Sequence, residues 1–293
     1  MLMYVLYRIG QMIALLVPIR ISYALARALG HLKSWLVPEE REAIKQNMRL
    51  ITGQDDRWCA GAVVDLYENF GKYLVDFFRS KWIDQRFIER FVRVHKKDTL
   101  ATVLAQGKGA IGLTAHIGNW ELTAQILARW GYKVNAVTLS HRHKNVDMFF
   151  SYLRSVTGIR VIPVGVAVRQ CFVALKRNEV VGILGDRDFS GENGIHVNFC
   201  GRQMLVPRGP AVLSLRTGAP IVPGFVIRSE KDDRYFDYFF EEPIYPHRTN
   251  DEEQDVRVMT EKIVAVIESY VRRYPRQWYM FRPFWKAEKV EIL

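Results

Sequence analysis

Apolar positions recur along this chain with two different periods, and the change falls near Gly109. Upstream, apolar residues return every three or four positions, as on helices with one buried face. Pro38-Glu39-Glu40-Arg41-Glu42 predicts a helix start, with acidic side chains at the positive end of the helix dipole, and Gly53 predicts its end. A second helix is predicted over Arg57 to Ser80, whose Trp58, Phe70, Tyr73, Phe77 and Phe78 share a face for packing. Downstream, short apolar runs appear at Ala110 to Thr114, Val134 to Leu139, Ile159 to Pro163, Val180 to Leu184 and Ile221 to Ile227. Helical stretches fill most of the gaps: Trp120 to Trp130, Asn145 to Val156, Val166 to Arg177 and Gly209 to Arg216. Tyr235 to Phe240 alternates as an antiparallel strand would, and Glu252 to Arg273 closes the pattern as a helix.

This alternation predicts an α/β fold, a mostly parallel central sheet flanked by helices, with a helical apolar layer at the N-terminus. Residues 1–36 form that apolar layer and residues 37–293 the catalytic domain, which divides into a helical part (37–104) and an α/β part (105–293).

The first 29 residues contain two apolar stretches, Met1 to Val17 and Ile19 to Leu29, separated by Pro18 and interrupted by Arg8, Gly10, Gln11, Arg20 and Arg27. A spanning helix needs about 20 apolar residues, more than either stretch offers. No basic segment precedes the first stretch and no small-residue cleavage site ends it, which disfavours a signal peptide. Two short helices lying in one leaflet, arginines at the headgroups, fit best; ordinary core helices are the alternative.

Composition narrows the partners. In 293 residues, 49% are hydrophobic and 25% charged, which excludes a disordered chain. A net charge of +11 suits an anionic membrane surface, an acidic carrier or nucleic acid, and an aromatic content of 12% favours the lipid interface. Cys59, Cys171 and Cys200 are widely spaced and suggest neither a disulfide framework nor a zinc site.

The densest chemical signal is Thr114-Ala115-His116-Ile117-Gly118-Asn119-Trp120-Glu121. His116 follows a buried strand and Glu121 falls in the first turn of the next helix, at the sheet edge where ligands of parallel α/β folds gather. A carboxylate bonded to one imidazole nitrogen fixes the tautomer and leaves the other nitrogen as a base, so Glu121 is expected to partner His116. Residues 117–120 include no Ser, Thr, Cys or Lys, so the turn offers no nucleophile and the base would act on a substrate hydroxyl. Amides at the helix start are expected to face a developing oxyanion. Gly185-Asp186-Arg187-Asp188-Phe189 ends a second strand at the same edge, and Ser140-His141-Arg142-His143-Lys144 ends a third with a positive cluster suited to phosphate. Either could also be a solvated turn. Near the C-terminus, Trp278, Tyr279, Phe281, Phe284 and Trp285 alternate with Arg276, Arg282, Lys286 and Lys289, a mixture that fits a headgroup layer or, for part of the rings, core packing.

These segments resemble, in order, the late lipid A biosynthesis acyltransferases of lauroyl/myristoyl type and the related phosphatidylinositol mannoside acyltransferases, within the lysophospholipid acyltransferase superfamily. His116 to Glu121 matches the H-x4-D/E signature in its Glu form. Leu139 to Arg142, Ala174 through Asp188, Gly218 to Pro223 and Tyr274 to Met280 resemble further segments of the family, over nearly the whole chain. Met280-Phe281-Arg282-Pro283-Phe284-Trp285-Lys286 departs from the family's usual W-x-h-R-R-(W/F)-K, and the stretch from Ser190 to Arg208 is of a variable kind, which bears on the acceptor rather than on the reaction.

The resemblance implies one-step transfer of a fatty acyl group from acyl-ACP or acyl-CoA to a hydroxyl of a membrane glycolipid or lipid A-type acceptor, at the cytoplasmic face of a bacterial inner membrane. His116 and Glu121 would be catalytic; Asn119, Arg142, Asp186, Arg187 and Asp188 would hold the substrate. No cofactor, metal or nucleic acid is expected. The alternatives are a metal-dependent phosphoester hydrolase using His116, Glu121, Asp186 and Asp188, or a non-catalytic membrane lipid-binding protein.

Overall fold

The computed structural model describes residues 1–187 and 194–285. Four helices come first: α1 (Leu2–Leu16), α2 (Ile19–Leu36), α3 (Pro38–Thr52) and α4 (Asp56–Phe78). Then follow α5 (Gln85–Phe91), β1 (Val92–His95), α6 (Thr99–Leu104), β2 (Ala110–Thr114), α7 (Trp120–Arg129) and β3 (Val134–Thr138). The chain continues through α8 (Lys144–Ser155), β4 (Arg160–Pro163), α9 (Ala167–Lys176), β5 (Val180–Leu184), β6 (Gly194–Phe199) and β7 (Arg202–Pro207). It closes with α10 (Gly209–Thr217), β8 (Ile221–Arg228), β9 (Phe236–Phe240) and α11 (Glu252–Arg273).

Seven strands form one sheet in the order β1-β9-β8-β2-β5-β3-β4. The five from β8 to β4 are mutually parallel, β9 runs antiparallel to β8 as its alternating pattern predicts, and β1 pairs parallel with β9. The mostly parallel sheet flanked by helices agrees with the sequence reading. Three strands do not appear in that reading: β1, within a stretch that reads as helical, and the antiparallel hairpin β6–β7, which occupies most of the variable segment.

The sheet divides the core by the two-residue period of its strands. Ile111, Val181 and Ile221 face α11, α10, α9 and the hairpin, whereas Ala110, Val180 and Val222 face α6 and α7. β8, near the middle, is buried at every position, and each fully buried Ile or Phe there contributes about 1.5–3 kcal/mol.

The N-terminal helices pack on α4. A Cβ on Gly30 would lie 2.7 Å from the Tyr67 carbonyl oxygen, and one on Gly71 would lie 2.8 Å from that of Ala26, so two glycines let α2 and α4 approach backbone to backbone. Arg79 bonds the carbonyls of Ala14 and Val17 at the end of α1, and Tyr7 meets Phe78 and Phe150 edge-on. The outward faces are apolar: Leu2, Leu6, Ile9, Ile13 and Leu16 on α1, and Ile21, Leu25, Leu29, Leu32 and Leu36 on α2, all exposed and spaced as one helical stripe each. No helix among the described residues is long and apolar enough to cross a membrane.

Candidate active site

The geometry of the site begins with strand register. β2 and β5 are adjacent and parallel, with Thr114 level with Leu184, and the Gly185 amide continues the ladder by donating to the Thr114 carbonyl at 2.9 Å. Two residues past each strand end stand His116 and Asp186, brought level by that register. The His116 amide donates to Asp186 Oδ2 at 3.1 Å, its Nδ1 lies 2.8 Å from Asp186 Oδ1, and the Trp278 indole Nε1 donates to Oδ2 at 3.1 Å. The Asp186 side chain is 0% exposed. With Nδ1 donating to a carboxylate, Nε2 is the basic nitrogen of the ring.

The expected bond from Glu121 to the imidazole is therefore replaced by one from Asp186. Glu121 sits in the first turn of α7 and points to α8, where Arg154 grips it with Nε 3.1 Å from both carboxylate oxygens and Nη2 2.5 Å from Oε1. Helix geometry carries Glu121 sideways, while the parallel ladder delivers Asp186 directly. Asp186 is correspondingly no headgroup contact, because its oxygens are enclosed by the three donors just named.

Electrostatics favour a neutral imidazole. Burial lowers the pKa of His116 below its ordinary value near 6.5, the Arg187 cation lowers it further, and Asp186 opposes both without cancelling them. Burial alone would raise the Asp186 carboxyl. The charge and hydrogen bond of His116, the Arg187 cation and the Trp278 indole override that and hold it well below the usual carboxylate range.

The turn after His116 is clamped on both sides. Gly118 donates to the Gln277 carbonyl at 2.9 Å, Asn119 donates to the Val226 carbonyl at 2.7 Å, and the His116 carbonyl accepts from the Tyr279 amide at 2.8 Å. Gly118 has φ +59° and a Cβ there would fall 2.1 Å from the Val226 oxygen, so only glycine fits. The Ile117 amide bonds the Ala115 carbonyl at 2.7 Å, so the amides of residues 117–119 are all bonded within the fold, ahead of the helix start at Trp120.

Asn119 likewise departs from its expected substrate role. It is buried, its Oδ1 caps α7 by accepting from the Leu122 amide at 3.0 Å, and its Nδ2 donates to Asp76 at 3.0 Å. Asp76 also accepts from the Tyr23 hydroxyl of α2 at 2.5 Å and from the Arg228 guanidinium at the end of β8. Gln277 completes the frame, its side-chain amide bonding the Arg228 amide at 3.0 Å and carbonyl at 2.9 Å. Asp76, Arg228 and Gln277 are the positioning residues sequence reasoning missed. Gln277 had a signal, its place in the Pro275 to Met280 signature, whereas Asp76 and Arg228 had none.

Arg142 lies exposed on the loop between β3 and α8, beside His141, whose ring stacks on Phe150. Arg187 bonds the Tyr279 carbonyl. Asp188, Lys286 and Lys289 lie outside the described residues. Trp278, Tyr279 and Phe284 are buried in the core instead of facing headgroups, while Trp120, stacked on Tyr73 with centroids 4.1 Å apart, stands 5.3 Å from the His116 ring. Among the described residues no group of three His, Cys, Asp or Glu side chains converges as a metal site, since Glu121 turns to Arg154.

Comparison with known proteins shows the family. The phosphatidylinositol mannoside acyltransferase of Mycobacterium tuberculosis is 26% identical over 265 residues, covering 85% of this chain and 78% of its own. The lipid A biosynthesis acyltransferase of Haemophilus influenzae is 25% identical over 178 residues, covering 59% and 52%. Among solved structures, the 1-acyl-sn-glycerophosphate acyltransferase of Thermotoga maritima is similar with a TM-score of 0.38 and 12% identity over 84% of this chain and 97% of its own. The model of the bacterial lipid A biosynthesis acyltransferases matches residues 1–287, and this chain, an O-acyltransferase, belongs to that family.

Proposed function

We propose that this enzyme moves a fatty acyl group from an acyl-ACP or acyl-CoA thioester to a hydroxyl of a membrane glycolipid, with His116 as general base and Asp186 as the carboxylate that orients it. The observation that carries the reading is the 2.8 Å contact between His116 Nδ1 and Asp186 at the carboxyl edge of β2 and β5. Nε2 takes the proton of the acceptor hydroxyl as its oxygen bonds the thioester carbon. The C–S bond then breaks, and the proton passes from the imidazolium to the departing thiolate. Asp186 stabilises the transient imidazolium. Glu121, held by Arg154, fixes the first turn of α7 and so the far end of the catalytic turn. Arg142 and Arg187 contact the substrate. The reaction so described uses no metal or redox cofactor.

The exposed apolar stripes of α1 and α2 dock the protein on the cytoplasmic leaflet of the inner membrane, where the acceptor resides, and the charge of +11 favours its anionic surface. The names of the mycobacterial and Haemophilus relatives support a glycolipid acceptor. The test is transfer of a labelled acyl group from acyl-CoA or acyl-ACP, assayed separately, into a lipid extract. Loss of transfer in His116→Ala and Asp186→Ala is the expected result. Wild-type transfer by His116→Ala would sink the assignment.

A further inference from the structure

A groove of about 600 Å³ lies between the edge strand β4 and α9, lined by Arg160 of the strand, Gly165, and Val168, Arg169, Gln170 and Val173. Val168 is 72% exposed, and Val164 and Val173 are exposed beside it, an apolar cluster that packing within the fold does not explain. Arg160 and Arg169 are also exposed, and neither is ion-paired among the described residues. The stretch from Val156 to Asn178 adds Lys176 and Arg177 and contains no Asp or Glu. The charge of this face is therefore unbalanced, and its field attracts an acidic partner.

Strand register relates the groove to the reacting atoms. Thr114 pairs with Leu184, and Thr138 pairs with Pro163. Thr138 and Leu184 each lie two residues past the Ala136–Gly182 pair, so the ends of β2, β5, β3 and β4 are level. Gly165 stands two residues past β4 as His116 stands two past β2, at the same sheet edge. Three strand spacings separate them, about 14 Å. The loop carrying Arg142 leaves β3 at this edge, between the two. The apolar stripes of α1 and α2 belong to a layer built with α4 and α8, whereas α9 covers the sheet face turned away from α7. The groove and the stripes are thus separate surfaces.

No aromatic ring lines the groove for a nucleotide base to stack on. Exposed valines flanked by arginines instead match a protein surface that mixes acidic and apolar side chains. We propose that this groove is the docking surface for an acidic acyl carrier protein, whose arm runs along the sheet edge to His116. The proposal rests on the acyl-transfer reading for the cargo of that carrier. An extended pantetheine arm of about fourteen bonds, at roughly 1.2 Å of chain length per bond, spans about 17 Å and covers the distance.

The experiment reverses the groove's charge in the full chain. The double variant Arg160→Glu/Arg169→Glu is expected to raise KM for acyl-ACP at least tenfold with kcat unchanged, and Val168→Asp alone to raise it by a smaller factor. Transfer from acyl-CoA and flotation with phosphatidylglycerol vesicles should match wild type in both, as should the thermal melt, since these side chains are exposed. An unchanged KM for acyl-ACP in either variant overturns the docking surface. So does an equal rise in KM for acyl-CoA, which would give the arginines to a nucleotide, or lost vesicle binding, which would give them to the membrane. Calorimetry with the acyl-free holo-carrier separates this proposal from the reading beneath it. If neither donor yields transfer, yet the holo-carrier binds wild type and binds the double variant at least tenfold more weakly, the acyl-transfer reading fails and the docking surface stands. Absent binding to wild type, or equal binding to both, overturns the surface.

Discussion

Two buried carboxylates flank the turn after His116, and each is surrounded by three donors. Asp186 receives the His116 amide, the His116 ring and the Trp278 indole; Asp76 receives the Tyr23 hydroxyl, the Asn119 amide group and the Arg228 guanidinium. Their cationic partners differ. Arg228 stays charged at every accessible pH, so the Asp76 cluster is fixed and acts as a joint between α2, α4, β8 and the turn. His116 is titratable, its pKa lowered by burial and by the Arg187 cation, so the charge of its pair with Asp186 depends on whether the imidazole is protonated. The same donor count thus surrounds a carboxylate with a titratable partner at one end of a short turn and with a fixed charge at the other.

Substitutions can break that contrast. Asp186→Asn keeps the shape but removes the charge that orients and stabilises the imidazolium, and kcat for acyl transfer should fall about 10³-fold. Arg228→Met leaves Asp76 buried without its counter-charge and should cost about 3–5 kcal/mol in urea unfolding. Its kcat should change far less than that of Asp186→Asn. Similar losses of stability and activity in both variants would refute the division of labour. Gly118→Ala, which forces a Cβ onto the Val226 oxygen in a left-handed backbone, should lower unfolding free energy by about 2 kcal/mol and move the imidazole, seen as lost activity with a cooperative melt.

The smallest effect lies in pH dependence. Because the His116 pKa is lowered, the neutral base persists below pH 6.5, and kcat/KM should decline only as pH falls through the lowered value. Removing the Arg187 cation takes away one of the two lowering influences, so the acid limb in Arg187→Gln should move to higher pH. A limb that moves down, or not at all, would show that burial alone sets the basicity of the ring.

Much of the fold is legible in the sequence because its parallel strands are short, apolar and bounded by turns. Ala110 to Thr114 and Val180 to Leu184 coincide with β2 and β5, and Glu252 to Arg273 with α11. β1 is illegible for a local reason: Val92-Arg93-Val94-His95 has four residues and a partner, β9, far along the chain. His116 and Glu121 stand out because they are close in sequence, which is also why pairing them misleads. Proximity in a strand–turn–helix sends the fifth residue sideways, and the partner comes from the neighbouring strand through a register that local patterns do not encode. Asp76 and Arg228 look like ordinary charges on a helix and a strand end until the tertiary structure brings them together.

The clamp from Gln277 to Tyr279 comes late in the chain. His116, Asp186 and every strand of the sheet are translated before the residues that hold the catalytic turn and supply the third donor to Asp186. Loss of Gln277 to Tyr279 alone would remove bonds that hold this turn and one of the three donors to Asp186.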